Sequence, residues 1–489
     1  MAAGEVSRER DLPDERASWA EGITAESITA ENVQRFARIC YGLYCLQGVV
    51  SVCGRTFIAL FLKDCGLSYI EVGLFFSISA AVSTVSGLFG GIAVERSATY
   101  AHSLSAMYIF ALLPFATILL QLYFYDPSTT ETPANDFLTG LFSWLQTSDP
   151  PRRAVLLTVV YSLYVICGTN YYSLTDAAVM DVMKEIPATA PYSYGKIRGT
   201  LSLGMGFMNI AIGALLTLTE IRHWQCWALS LLALVFCSFL SFPVGKFWAA
   251  VKAKRDATVA VNDIGASLLS RDQNRAHQRT WKDMIYFICN ARMFVFLLVT
   301  VINGVGNATY DIYILLRLQE LNASNFLIGS TAGMGSLTNF VFFLYAPRML
   351  AFMGAHWMIL LSMVAFIARA SIYSIIDEHN LSLVLVAQSL HGINFSVMMV
   401  GAIAYLTDVT RGNDLTVFAR SLFGFAFSGL GGILGNLLAG IVYQFFGALW
   451  VFKIKILLTL LGMILFGVSE WWHGWDGRCQ SRARYTSDR

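Results

Sequence analysis

The chain has 489 residues, of which 56% are hydrophobic and 13% charged, with a mean hydropathy of +0.57. So few charges cannot solvate two or three water-soluble domains, which excludes a soluble enzyme or a nucleic-acid-binding protein of this length. The net charge of +2 says nothing as a total; only its placement between apolar stretches is informative. The composition is that of an all-α protein threaded repeatedly through a lipid bilayer.

Residues 1–34 are polar and charged, so no cleavable signal opens the chain and this stretch reads as a cytosolic tail. About 20 apolar residues cross a membrane. That length predicts twelve spans, at 37–62, 69–94, 103–125, 154–180, 197–219, 223–244, 292–317, 326–346, 356–376, 381–406, 418–443 and 449–471. They fall six and six: an N-terminal bundle over 35–245, a basic linker over 246–284, a C-terminal bundle over 285–472 and a basic tail over 473–489. The stretch Lys246 to Asp283 holds eight Lys and Arg against four Asp, whereas Asp126 to Asp149 carries acids and no basic residue. Basic loops stay in the cytosol, so both termini and the linker are expected inside; the expected host is the plasma membrane, with an organelle membrane as the alternative.

Charges inside apolar stretches are costly and mark function. Arg55 lies deep in span 1 and Asp311 in span 7. A shift of 256 positions carries Arg55 to Asp311, Gly48 to Gly304 and Gly73 to Gly329, which predicts a duplicated unit with Arg55 and Asp311 as a charge pair. Span 4 carries Asp176 and Asp181, five residues apart and so not on one helix face. Arg198 opens span 5. The second half contributes Asn339, Arg369 in the middle of span 9, and Gln388, His391 and Asn394 in span 10, where His391 and Asn394 share a face. An imidazole there has the chemistry to carry a proton.

No phosphate-binding glycine loop, His-Glu-x-x-His or nucleophile elbow occurs, so no enzymatic site, metal or cofactor is expected. The nine cysteines follow no zinc or disulfide spacing. Gly87-xxx-Gly91 and Gly431-xxx-Gly435 place small residues one turn apart, as close helix packing requires.

The segment Tyr192 to Gly206, YSYGKIRGTLSLGMG, resembles the junction of the fourth and fifth spans in the oligosaccharide and nucleoside proton symporter branch of the major facilitator superfamily, to which the lactose permease belongs. Gly91-x-x-x-Glu95-Arg96 resembles a degenerate form of that superfamily's loop signature between spans 2 and 3. The segments LQELNASNFLIG, SLHGINF and ARSLFGFAFSGLGGILGNLLAG are similar to the second half of those symporters. The resemblance implies the major facilitator fold, two pseudo-symmetric six-helix bundles around a central cavity. It also implies a sugar-binding role for Arg198 with an acidic partner near Asp181, and a binding and coupling role for Arg369 and His391. Where the permease has its eighth-span Glu, tenth-span Glu and tenth-span Lys, this chain has Ser336, Asn394 and Gln388. Asp311 thus keeps the seventh-span acid without its Lys partners.

The expected function is movement of a small polar organic solute, a sugar, nucleoside or related metabolite, by alternating access in a monomer. Arg198 with Asp176 or Asp181 would hold it in one bundle, and Arg369, His391, Asn394, Gln388 and Asn339 in the other. Proton symport through Asp311 or His391, an uncoupled uniporter, and a non-transporting receptor or scaffold are the alternatives.

Overall fold

The computed structural model describes residues 30–52, 56–64, 66–96, 100–125, 150–185, 194–219, 223–266, 286–410 and 416–473, and these are nearly all helical. Ten helices among them are long and apolar enough to cross a membrane. The helix Asn325–Ser374 contains 50 residues, about 75 Å at 1.5 Å per residue, which is too long for one crossing of a hydrocarbon layer roughly 30 Å thick. It breaks at Gly354, whose φ of 79° lies in the left-handed region that glycine adopts without a Cβ clash. The two pieces are spans 8 and 9. Span 1 consists of Ala30–Val52 and Ile58–Asp64, on either side of three residues outside the description, Arg55 among them. The helices therefore follow the predicted segments in order, with differences of extent at several ends, the largest at span 6. The helix of span 6 runs on through Ala266, so the stretch read as linker begins as helix.

Close backbone contacts relate the two halves. A Cβ on Gly48 of span 1 would strike the backbone of Leu201 and, at 2.8 Å, Met205 of span 5; one on Gly304 of span 7 would strike Phe427 of span 11. A Cβ on Gly73 of span 2 would lie 2.5 Å from the Asn436 carbonyl in span 11, and one on Gly329 of span 8 would lie 2.4 Å from the Asn209 carbonyl and 2.8 Å from the Gly213 Cα of span 5. The glycines linked by the 256-residue shift thus make equivalent contacts, 1 on 5 like 7 on 11, and 2 on 11 like 8 on 5. Only hydrogen side chains permit such approach. The first pair holds each bundle together and the second joins bundle to bundle.

Leu113, Phe239 and Leu457 project from the outer faces of spans 3, 6 and 12. Exposed apolar side chains on helices this long are satisfied by lipid tails. A groove of about 380 Å³ on this outer side, lined by Ile109, Leu112 and Phe239 among others, has no charged lining residue.

Candidate functional site

Among the polar side chains inside the helices, each half holds one cluster built from residues singled out in the sequence. In the N-terminal half Arg198 NH1 donates to Asp176 Oδ2, and the Tyr44 hydroxyl donates to Asp176 Oδ1 at 2.5 Å. Asp181 turns elsewhere: its carboxylate accepts from Trp248 Nε1 at 3.0 Å and lies 3.7 Å from Lys252 Nζ. The five-residue spacing explains the split, because it rotates the two carboxylates toward different neighbours. Of the two acids offered as partners for Arg198, the structure selects Asp176. Behind this pair Gln47 Nε2 donates to Thr175 at 3.1 Å and also meets Tyr108, and Tyr108 stacks on Tyr171 at 4.4 Å.

Arg369 anchors the C-terminal cluster. Its side chain is fully buried, with Nε donating to the Tyr373 hydroxyl at 2.8 Å, NH1 to His391 Nδ1 at 2.8 Å and NH2 to Gln388 Oε1 at 2.9 Å. Asp311 Oδ1 lies 4.0 Å from NH2, and the Asp311 side chain is 47% exposed. A half-exposed carboxylate in an apolar helix needs water or protein beside it, since lipid cannot solvate it. Its proposed partner Arg55 lies outside the described residues.

A guanidinium has no acceptor, so Nδ1 of His391 must be the acceptor and the ring hydrogen sits on Nε2. A second ring proton would aim an N–H at the arginine. The proton-carrying role expected of His391 meets this obstacle here, and Asp311 is the acid of the cluster among the described residues. Asn339 accepts from the Ser396 hydroxyl at its backbone oxygen, 3.0 Å, and at Oδ1, 3.3 Å. Asn394, buried, leaves Oδ1 without a partner. It sits in a π-helical turn, Ile393–Val397, the kind of one-residue widening that re-aims side chains at functional positions.

Span 8 lies between the clusters. A Cβ on Gly199, next to Arg198, would meet the Phe340 ring at 2.8 Å, and one on Gly335 would meet Gln388 Oε1 at 2.9 Å and His391 at 3.2 Å. Arg198 and the His391 group therefore flank the same stretch of helix.

A further set of polar groups, not anticipated from the sequence, ties the halves at one end. Gln319 Nε2 donates to Asp64 at 2.7 Å, Gln444 accepts from the Tyr69 amide at 3.1 Å, and Thr217 accepts from the Phe326 amide at 2.7 Å. The Glu320 carboxylate accepts from Tyr69 of span 2 and, at 2.8 Å, from Tyr443 of span 11. Their sequence signal was weak, because polar residues at helix ends are ordinarily solvated. Replacing Tyr69 by Phe is expected to raise the rate at which a thiol reagent modifies Asp64→Cys several-fold, because the end opens more often without this bond; an unchanged rate would assign the latch to other contacts.

Residues 44–454 match the model of the MFS_1 like family. The chain belongs to that family. Solved structures agree on the fold: a nucleoside transporter, NupG, superposes with a TM-score of 0.67 over 89% of this chain and 99% of its own, at 13% identity. A peptide transporter, POT, superposes with a TM-score of 0.61 over 91% of this chain and 98% of its own, at 12% identity. A bacterial homologue of the iron transporter ferroportin in an inward-facing state gives 0.58 over 89% and 98%, at 12% identity. This member of the MFS_1 like family is a multi-pass membrane protein.

Proposed function

We propose that the protein moves a small polar organic solute of the nucleoside or sugar class across the plasma membrane by alternating access, as a monomer with both termini in the cytosol. The observation that carries this reading is the placement of one charged, hydrogen-bonding cluster in each bundle, Asp176–Arg198–Tyr44 and Arg369–Asp311–Gln388–His391, on two sides of span 8. A solute touching both is bound fully only when the bundles close on it, so binding energy is coupled to the change of state. With the termini inside, the latched end around Glu320 faces outward, and the state described is closed to the outside. Residues 35–245 and 285–472 then act as the two moving bodies. The nucleoside transporter among the similar folds supports the choice of solute class.

Uncoupled transport is the second reading, favoured by the Arg369–His391 bond and by Ser336, Gln388 and Asn394 where carboxylates or a lysine would serve coupling. The deciding experiment is uptake of radiolabelled uridine, glucose and alanyl-alanine into proteoliposomes, with and without an imposed pH gradient. Saturable uptake of uridine or glucose is expected, lost in Arg198→Ala. Uptake of none of the three would sink the proposal, and acceleration by an inward proton gradient would remove the uncoupled reading.

A further inference from the structure

Span 12 carries a cation that the site described so far does not use. Lys455 is 2% exposed, and its Nζ donates to the Ile302 carbonyl of span 7. No carboxylate lies within ion-pair distance of it among the described residues, although an ammonium has three donors. The buried hydroxyl of Thr459, one turn along span 12, also lacks a partner. A fully buried amine without a counter-ion is costly enough to require a reason.

The surroundings supply one. Lys455 Nζ stands over the Phe366 ring, 5.4 Å from its centroid; Phe366 stacks on Tyr310 at 4.7 Å; and Arg369 stands over Tyr310, 5.2 Å from its centroid. Lys455 and Arg369 thus each stand over one ring of the same stacked pair. Each draws on the face of its own ring, and with both protonated they repel each other across the stack. Gly306 keeps this packing close, since a Cβ there would overlap Phe366 and Lys455.

We propose that Lys455 is a positioning residue for the C-terminal cluster: through the Phe366–Tyr310 stack it holds the Arg369 guanidinium toward Asp311. This deepens the transport reading, because the buried Arg369 charge is then held beside Asp311, the half-exposed acid of the cluster. A structural lysine would stabilise the fold. A positioning lysine works at the expense of stability.

Thermal unfolding of the purified full-length chain separates the two roles without any solute. Lys455→Met, nearly isosteric and uncharged, is expected to unfold at or above the wild-type temperature. In that background Arg369→Gln should lower the melting temperature more than it does in the wild type, because the guanidinium no longer meets an opposing cation. Should Arg369→Gln fail to fold, Tyr310→Leu takes its place in the same cycle. Additive effects, or a Lys455→Met protein clearly less stable than wild type, would overturn the proposal. In uridine uptake the same Lys455→Met change is expected to raise KM roughly 5-fold or more with a smaller change in maximal rate. An unchanged KM also overturns it, whereas a wild type that carries no uridine overturns the solute assignment and leaves the unfolding cycle to decide.

Discussion

Glu470→Ala is expected to destabilise the C-terminal bundle more than any surface change, by about 3–5 kcal/mol, because it strips the partner from a largely buried cation. Glu470 is 2% exposed at the end of span 12 and receives bonds from three other helices. Arg292 at the start of span 7 donates Nε to Oε1 at 3.0 Å and NH2 to Oε2 at 2.7 Å; His356 at the start of span 9 lies 2.7 Å from Oε2; and the Tyr405 hydroxyl of span 10 donates to Oε1 at 2.8 Å. Every lone-pair direction of the carboxylate is engaged, which is the condition under which a buried acid is tolerated. Removing it leaves Arg292 and His356 facing each other at 3.3 Å with nothing between them. Glu470→Gln keeps the shape and one acceptor oxygen, so it should fall between wild type and Ala. Melting temperatures of the three proteins in one detergent test the order. An alanine variant as stable as wild type would show that the four helix ends are held by apolar packing alone.

The second large effect is conformational. Gly329→Ala and Gly73→Ala each put a methyl group into the backbone of the opposite bundle, at Asn209 and Gly213 in one case and at Asn436 and Gly440 in the other. Overpacking a well-filled contact costs about 1–3 kcal/mol. The cost falls only on the state in which the bundles touch there, so each change should shift the balance toward an open end by about 5–150-fold. Spin labels at Thr219 after span 5 and Glu378 between spans 9 and 10, both exposed, would report a longer distance in either variant. A distance distribution identical to wild type would mean that the bundles part along another seam. Gly424, with no neighbour within 4 Å of its added Cβ, is the matched control.

The glycine correspondence is one place where a one-dimensional pattern carried three-dimensional content. Gly48 and Gly304, or Gly73 and Gly329, recur at a constant spacing because two copies of one packing arrangement need hydrogen side chains at the same points. Arg369, Gln388 and His391 were legible for a related reason, since charge and amide groups stand out in spans of hydrocarbon. Lys455 and Glu470 carry the same signal, a charge within an apolar run. The latch at Tyr69, Glu320 and Tyr443 left almost no trace, because its members sit at helix ends where polarity is ordinary.

Membrane class, the order of the helices and the doubling of the chain are thus properties of the sequence alone, since solvation of side chains by lipid depends on local composition and needs no knowledge of neighbours. Partnership is another matter. That Arg198 takes Asp176 and not Asp181, that Arg369 fixes the hydrogen of His391, and that Lys455 shares an aromatic pair with Arg369 depend on helix rotation and crossing, which residues distant in the chain set only once they pack.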